Sequence, residues 1–236
     1  MRQADVGRLS SFKLNALNQH YIVNYFLFND LKNFVKKFAF GNVLDIGCGN
    51  KPYKELFINT TNYIGCDVMQ SSENIVDVIC PATNLTFNNQ QFDTVFSTQV
   101  IEHVEDHNKM LSEAARVLKV NGVAIFTIPF CWELHEEPYD FFRFSKHGIH
   151  FLFKKYGLEV IEVKSNGGKW AATLQTLLNT IFSTKRFKTW RWFLIKHFFL
   201  TLKFIWVYNK FSVWLDKKYF DDILTLNYIV VAKKSN

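Results

Sequence analysis

No two of the four cysteines, Cys48, Cys66, Cys80 and Cys131, form a C-x-x-C pair, and no histidine stands at zinc-like spacing from them. That excludes a zinc ribbon and gives no framework of disulfides. Cys66 and Cys80 lie in apolar, strand-like runs, where a thiol behaves as a small hydrophobe. Reduced cysteines in an intracellular protein are expected. The chain opens on Met1-Arg-Gln-Ala-Asp5 without an apolar run, so no secretory signal is read. Internal repeats and low-complexity tracts are also missing. A long apolar run near residues 190–215 is interrupted by Lys196, His197 and Lys203, which disfavours a membrane-spanning helix.

What is present suits one α/β domain. The chain has 236 residues, 48% hydrophobic and 21% charged, enough for one sizeable core. Aromatics reach 17%, with 25 Phe, which points to a Phe-rich core or to rings at an interface. The formal charge is +7, yet residues 184–218 carry nine Lys/Arg against Asp216 alone. That local +8 leaves the rest close to neutral, so the fold is not built around a polyanion.

Leu14, Leu17, Tyr21, Phe28, Leu31, Val35 and Phe38 recur at helical spacing and predict a helix ending before Gly41. A buried strand over residues 42–47 runs into a glycine turn, and Pro52 opens an expected helix through residue 57. Further strands are expected over residues 63–68, 75–79, 92–96, 123–128, 158–163 and 226–231. A helix is read over residues 107–118. Asn121-Gly122 reads as a turn, and Ser145 as the cap of a helix stopped by Gly157. Alternating strands and helices mean a mostly parallel sheet covered on both faces, with ligands at the carboxyl ends of its strands.

The glycine turn decides the ligand. A dinucleotide fingerprint needs G-x-G-x-x-G; Gly47 and Gly49 are present, but Pro52 holds the third position. Asp45, just before the turn, would repel a pyrophosphate and attract a cation. S-adenosylmethionine carries two cationic groups, an ammonium and a sulfonium. Asp67 stands about twenty residues on, where an acid accepts ribose hydroxyls.

Residues 43–50 (VLDIGCGN) followed by 63–67 (YIGCD), then 92–103 (FDTVFSTQVIEH) and 113–122 (EAARVLKVNG), resemble the ordered motifs of the Rossmann-like, class I S-adenosylmethionine-dependent methyltransferases. The likeness runs from about residue 42 to 163 and returns in the last strand. It implies a seven-stranded sheet with a reversed final hairpin. It also implies that Asp45, Gly47, Cys48 and Gly49 line the methionine part of the cofactor, and that Asp67 holds the ribose. Val68 and Met69 would flank the adenine, and Gln99 would face the methionine end. Two positions depart from the pattern: Lys51 stands where the family often has a third glycine, and Pro81 where it often has an acid for the adenine amino group. Adenine then depends on backbone groups near Ala82.

Methyl transfer to a hydroxyl needs aligned reactants and a base. Glu102-His103 follows the fourth strand at the rim an acceptor would approach, and His103 is the first candidate base. A helix-start pair that only packs and caps is the plain alternative. Small-RNA ribose and some quinone-pathway O-methyltransferases carry Glu-x-x-Glu-His here, but Gln99 replaces the first acid and is a poor ligand for a hard cation. Assistance by a metal on Glu102, His103 and His135 therefore stands behind a metal-free site. Residues 129–145 (PFCWELHEEPYDFFRFS) resemble a subgroup of bacterial methyltransferases associated with cell-surface polysaccharide synthesis. On that likeness His135 is a base or grips the acceptor, Trp132 and Tyr139 stack on a sugar ring, and Asp140 pairs with Arg143 to fix the loop.

Lys196, Lys203, Lys210 and Lys217 recur every seven residues within an otherwise apolar, aromatic segment. A helix lying in a membrane surface and a helical cap or dimer contact fit this pattern equally well; nucleic acid fits poorly. The expectation is an N-terminal helical extension over residues 1–41 and a methyltransferase domain over 42–236, with a helical insertion at about 169–222. S-adenosylmethionine is the expected cofactor, and oxygen of a glycan or lipid-linked sugar the expected acceptor. Quinone, other small-molecule or RNA O-methylation, and an inactive cofactor-binding partner subunit, stay open. The expected place is the cytoplasm, peripheral to the inner membrane face if residues 185–218 bind lipid, and an oligomer stays open.

Overall fold

The computed structural model describes residues 14–183, 194, 197 and 204–235. Seven strands form one sheet: β1 (Gly41–Ile46), β2 (Thr60–Asp67), β3 (Val78–Ile79), β4 (Phe92–Thr98), β5 (Leu118–Pro129), β6 (Leu158–Asn166) and β7 (Asn227–Lys234). Their order is β3-β2-β1-β4-β5-β7-β6. Strands β1 to β5 pair in parallel, and β7 runs antiparallel to both neighbours. The expected Rossmann-like methyltransferase sheet with a reversed last hairpin is what forms. The direction of winding changes between β1 and β4, and such a switch point opens a crevice at the strands' carboxyl ends.

Strand alternation sends side chains to two separate cores. On one face Leu44, Ile46, Val95, Phe126 and Ile128 pack with α2 (His107–Val117) and α3 (Lys146–Lys155). On the other, Val43, Phe96, Ile125, Ile229 and Val231 pack with Leu27, Leu31, Phe34 and Val35 of α1 (Tyr21–Phe38). Asp106 caps α2 by accepting from the Lys109 N–H at 2.9 Å, and Ser145 caps α3 by accepting from the Gly148 N–H at 3.2 Å. Gly157, at φ +69°, ends α3 as expected.

Four local expectations are corrected. Residues 14–20 form turns, and α1 starts only at Tyr21. The run after Pro52 makes a single 3₁₀ turn, Lys54–Leu56, because Tyr53 and Phe57 turn inward to pack on Phe96. The third strand shrinks to Val78–Ile79, since the Ile75 and Val76 N–H groups donate to Ser71 Oγ (3.3 Å) and Gln70 Oε1 (2.9 Å) instead of joining a ladder. Asn121-Gly122 does not divide strand from helix: β5 starts at Leu118, and Asn121, at φ +65°, lies inside it, opposite a register shift.

Among the described residues, α4 (Lys169–Ser183) and α5 (Phe204–Lys218) lie between β6 and β7. The buried face of α5 is largely polar. Asn209 donates to the Ala16 and Asn18 carbonyls at 2.8 and 2.9 Å. The buried Asp216 carboxylate accepts from the Gly168 and Ala171 N–H groups, both at 2.9 Å, and so satisfies the start of α4. Lys210 and Lys217 turn onto α1, where they donate to the Tyr21 and Tyr25 hydroxyls at 3.0 and 2.5 Å. Phe204, Trp206, Val207, Phe211 and Trp214 are exposed instead. Lys196 and Lys203, with most of the basic segment, lie outside the described residues. Among those described, no helix is long and apolar enough to cross a membrane.

Candidate active site

The crevice at the β1/β4 switch point is a cavity of about 840 Å³. Its floor is the turn after β1. Gly47 (φ +74°) and Gly49 (φ +49°) hold left-handed backbone, and a Cβ on Gly47 would lie 2.5 Å from Val100 Cγ2. Only glycine fits there. The Gly47 and Cys48 N–H groups both donate to the Cys66 carbonyl (2.8 and 3.0 Å), and the Gly49 N–H donates to Asp67 Oδ2 at 3.0 Å. Lys51, where the third glycine would be, reaches away to pair with Asp77 at 2.6 Å.

Asp45, Gly47, Cys48, Gly49, Asp67, Val68, Ala82 and Gln99 all line this cavity, as do His103 and His135. Met69 and Glu102 are not among its walls. Met69 lies past the end of β2, where its N–H bends back to Asp67 Oδ1 at 3.4 Å. Glu102 packs beneath the rim, fully buried. The cavity also takes residues that motif reading passed over. His20, Asn24 and Leu27 reach it from around α1, Tyr53 from the 3₁₀ turn, and Asn227 from β7.

Two features fit a cationic ligand. Burial pushes the Asp45 carboxyl up to about 7, against the hydrogen bond donated by the Tyr63 hydroxyl and with help from nearby Asp67. A buried acid left costly to ionise is compensated when a cation arrives. Asn50 Oδ1 is buried on the same wall without a hydrogen-bond partner, an acceptor suited to an ammonium. Among the described wall residues there is no Lys or Arg, so nothing there favours a pyrophosphate. Gln99, at φ +53°, is held by its backbone N–H on the Thr127 carbonyl and its Nε2 on Thr127 Oγ1, both 3.0 Å.

At the far end His103 and His135 stack edge to face, ring centroids 4.6 Å apart. His103 Nδ1 lies 2.9 Å from the Tyr139 carbonyl, and its Nε2 lies 3.7 Å from Glu102 Oε1. Burial raises the Glu102 carboxyl to about 8, despite Arg143 nearby. The loop 133–143 is fixed by a bidentate pair: Arg143 donates to both Asp140 oxygens at 2.5 and 2.7 Å. Burial opposes ionisation of Asp140, but Arg143 and His135 bring it down to about 2. The Asp140–Arg143 pair is thus a loop clamp, as the spacing suggested.

A parallel sheet reversed at its end, with an acid-flanked glycine turn at the switch point, is an α/β arrangement whose cavity fits a cationic ligand. The comparisons agree. The family model described as "Methyltransferase domain" matches residues 44–126. The uncharacterized protein MJ1123 of Methanocaldococcus jannaschii is 31% identical over 152 residues, 60% of this chain and 71% of that protein. A SAM-dependent methyltransferase from Archaeoglobus fulgidus superposes with a TM-score of 0.54 at 17% identity, covering 92% of this chain and 95% of the other. Phosphoethanolamine N-methyltransferase 2 of Haemonchus contortus, solved with phosphomonomethylethanolamine and S-adenosylhomocysteine, gives 0.55 at 18% identity, covering 96% and 60%. The [4+2]-cyclase SpnF gives 0.56 at 16% identity, covering 88% and 81%, so this fold also carries other chemistry. The chain carries a methyltransferase domain and shares its fold with S-adenosylmethionine-dependent methyltransferases.

Proposed function

We propose that the protein methylates a hydroxyl oxygen of a glycan or lipid-linked sugar. The observation that carries this reading is the His103–His135 pair, which shares one cavity with the glycine turn and with Trp132 and Tyr139. In this reading Asp45, Gly47, Cys48, Gly49 and Gln99 hold the methionine end, Asp67 the ribose, and Val68 and Ala82 the adenine. When bound, S-adenosylmethionine supplies a methyl group whose bond to sulfur breaks, the electron pair staying on sulfur, as the acceptor's new bond to carbon forms and its hydroxyl proton leaves. His103 and His135 activate that hydroxyl, with Glu102 packed behind His103. Trp132 and Tyr139 stack on the sugar ring, and the Asp140–Arg143 clamp keeps the loop in place. His103→Ala and His135→Ala are each expected to lower single-turnover methylation by roughly 10²–10⁴ while S-adenosylhomocysteine still binds. Loss of only a few-fold in both variants removes this role.

The acceptor is tested with tritium-labelled cofactor and a cell-envelope fraction. Label in lipid-soluble glycan supports the reading; label in RNA or in a small quinone overturns it, and no label anywhere points to an inactive partner subunit.

The exposed rings of α5 support a second element, contact with a membrane surface at the inner face. Trp206, Phe211 and Trp214 offer an apolar, aromatic side suited to the headgroup boundary. Lys210 and Lys217 are spent on α1, so the rings rather than these lysines would carry the contact. Trp206→Ser with Trp214→Ser is expected to abolish co-sedimentation with anionic vesicles; unchanged sedimentation defeats it.

A further inference from the structure

We propose that Asn24 and Asn227 form the subsite that recognises the acceptor, two carboxamides that hydrogen-bond the hydroxyl groups of an uncharged sugar, and that Asp30 orients Asn227 through Asn166. This rests on the glycan reading above and says which kind of sugar fits. Both asparagines line the cavity. Asn227 opens β7 and pairs with Pro129 at the end of β5. In the strand order it stands three places from β1, roughly 14 Å at ordinary strand spacing, on the side away from β2 and Asp67. Asn227 therefore faces the acceptor's part of the crevice rather than the ribose. The start of α1 reaches the same end. His20 meets the Trp132 ring edge to face, centroids 5.7 Å apart, and Asn24 follows His20 by one helical turn.

The direction of the Asn227 amide is set from outside the cavity. Asp30 accepts from Lys164 Nζ at 2.5 Å and from Asn166 Nδ2 at 2.8 Å. A carboxylate only accepts, so Asn166 turns its amino group to Asp30 and its Oδ1 to Asn227, whose Nδ2 donates to it at 3.1 Å. Asn227 Oδ1 is left at the other end of its amide. The residue is 1% exposed, yet this oxygen accepts no hydrogen bond among the described residues and is not sealed in packed protein. It opens on the cavity. The Asn24 side chain likewise makes no hydrogen bond among the described residues. A buried amide needs a partner, and a hydroxyl, at once donor and acceptor, supplies one without charge. Negative charge on the acceptor is opposed. Asp45, Asp67, Glu105, Asp106 and Glu136 line the cavity, and no Lys or Arg does among the described residues. A uronate or a sugar phosphate placed there would meet acids and no cation.

The test needs no methyl transfer. Nitrogen-labelled protein saturated with S-adenosylhomocysteine is titrated with methyl glycosides of neutral hexoses, with a methyl glucuronoside and with a glucose phosphate. The side-chain amide signals of Asn24 and Asn227 are followed by NMR. Neutral glycosides should shift both signals. Asn24→Ala, Asn227→Ala and Asp30→Ala should each weaken their binding by about 10-fold while S-adenosylhomocysteine affinity holds. Asp30→Asn, which can still accept from Asn166, should restore it. Anionic sugars bound as tightly as neutral ones, no shift in either amide, or unchanged affinity in folded Asn24→Ala and Asn227→Ala each overturns the subsite. If Asp30→Asn fails to restore what Asp30→Ala loses, the positioning role falls. If Asn227→Ala does not fold, the half-buried Asn24 decides. Failure here is distinct from failure of the glycan reading. Label from tritiated cofactor in lipid-soluble glycan would uphold that reading even with the subsite lost, and label in RNA would overturn it whatever the amides do.

Discussion

Replacing Asp45 with asparagine should stabilise the ligand-free protein and weaken its hold on the cofactor. Burial raises this carboxyl from 3.8 to about 7, and the Tyr63 hydroxyl only partly offsets that burial. A folded-state value above the unfolded one means that the folded protein binds the proton more tightly. The associated stability is full below about pH 4 and is lost as pH rises toward about 7. A rise from 3.8 to about 7 corresponds to about 4 kcal/mol at pH 8, and the part incurred by pH 5 is about 2 kcal/mol. Asparagine keeps the shape and still accepts from Tyr63, but carries no charge to bury. Urea unfolding without ligand should therefore show Asp45→Asn gaining up to about 4 kcal/mol at pH 8 and roughly half that at pH 5. The cofactor's cationic groups favour the ionised form. Wild-type affinity for S-adenosylmethionine should then fall by up to about tenfold per pH unit below about 7. The variant should lack this pH dependence and bind more weakly at pH 8. A variant no more stable at pH 8 than at pH 5, relative to wild type, would refute the reasoning.

Asp67→Ala removes the acceptor proposed for both ribose hydroxyls. At about 1.5 kcal/mol for each charged hydrogen bond, calorimetry should show S-adenosylhomocysteine binding about 100-fold more weakly. Gly47→Ala forces a side chain onto left-handed backbone and into Val100, and should cost about 2 kcal/mol or more in urea unfolding. Adding Val100→Ala should recover the contact part of that loss and leave the backbone part. Asp216→Ala strands the Gly168 and Ala171 N–H groups and should cost about 3 kcal/mol, lowering the melting temperature by roughly 6–12 °C.

The central strands and the glycine turn were legible because their signals are local. Residues 43–46 are a buried run, and the turn needs glycine at Gly47 whatever surrounds it. Weaker local signals gave way to packing. Tyr53 and Phe57 look like the start of a helix, but their rings are drawn onto Phe96 and the backbone closes after one turn. The Asn121-Gly122 pair reads as a chain reversal, yet pairing of Leu118 with Phe92 absorbs it as an irregularity inside β5. In the site, residues carried by ordered motifs, such as Asp45, Asp67 and Gln99, were legible in advance. His20, Asn24 and Leu27 were not, because α1 comes to the cavity only by packing against a sheet made of distant segments. Glu102 shows the same limit. Its neighbour His103 faces the cavity, while Glu102 turns inward through a 3₁₀ turn whose direction no spacing rule specifies. The lysine stripe also changed meaning, since Lys210 and Lys217 meet tyrosines of α1 more than 180 residues earlier in the chain.

Calorimetric titration of the purified wild-type protein with S-adenosylhomocysteine at pH 8, beside Asp67→Ala, bears most directly on the cofactor cavity. One molecule bound per chain, with affinity collapsing in the variant, is the predicted result. A folded wild-type protein that takes up no S-adenosylhomocysteine, or a variant that binds it equally well, would contradict the account.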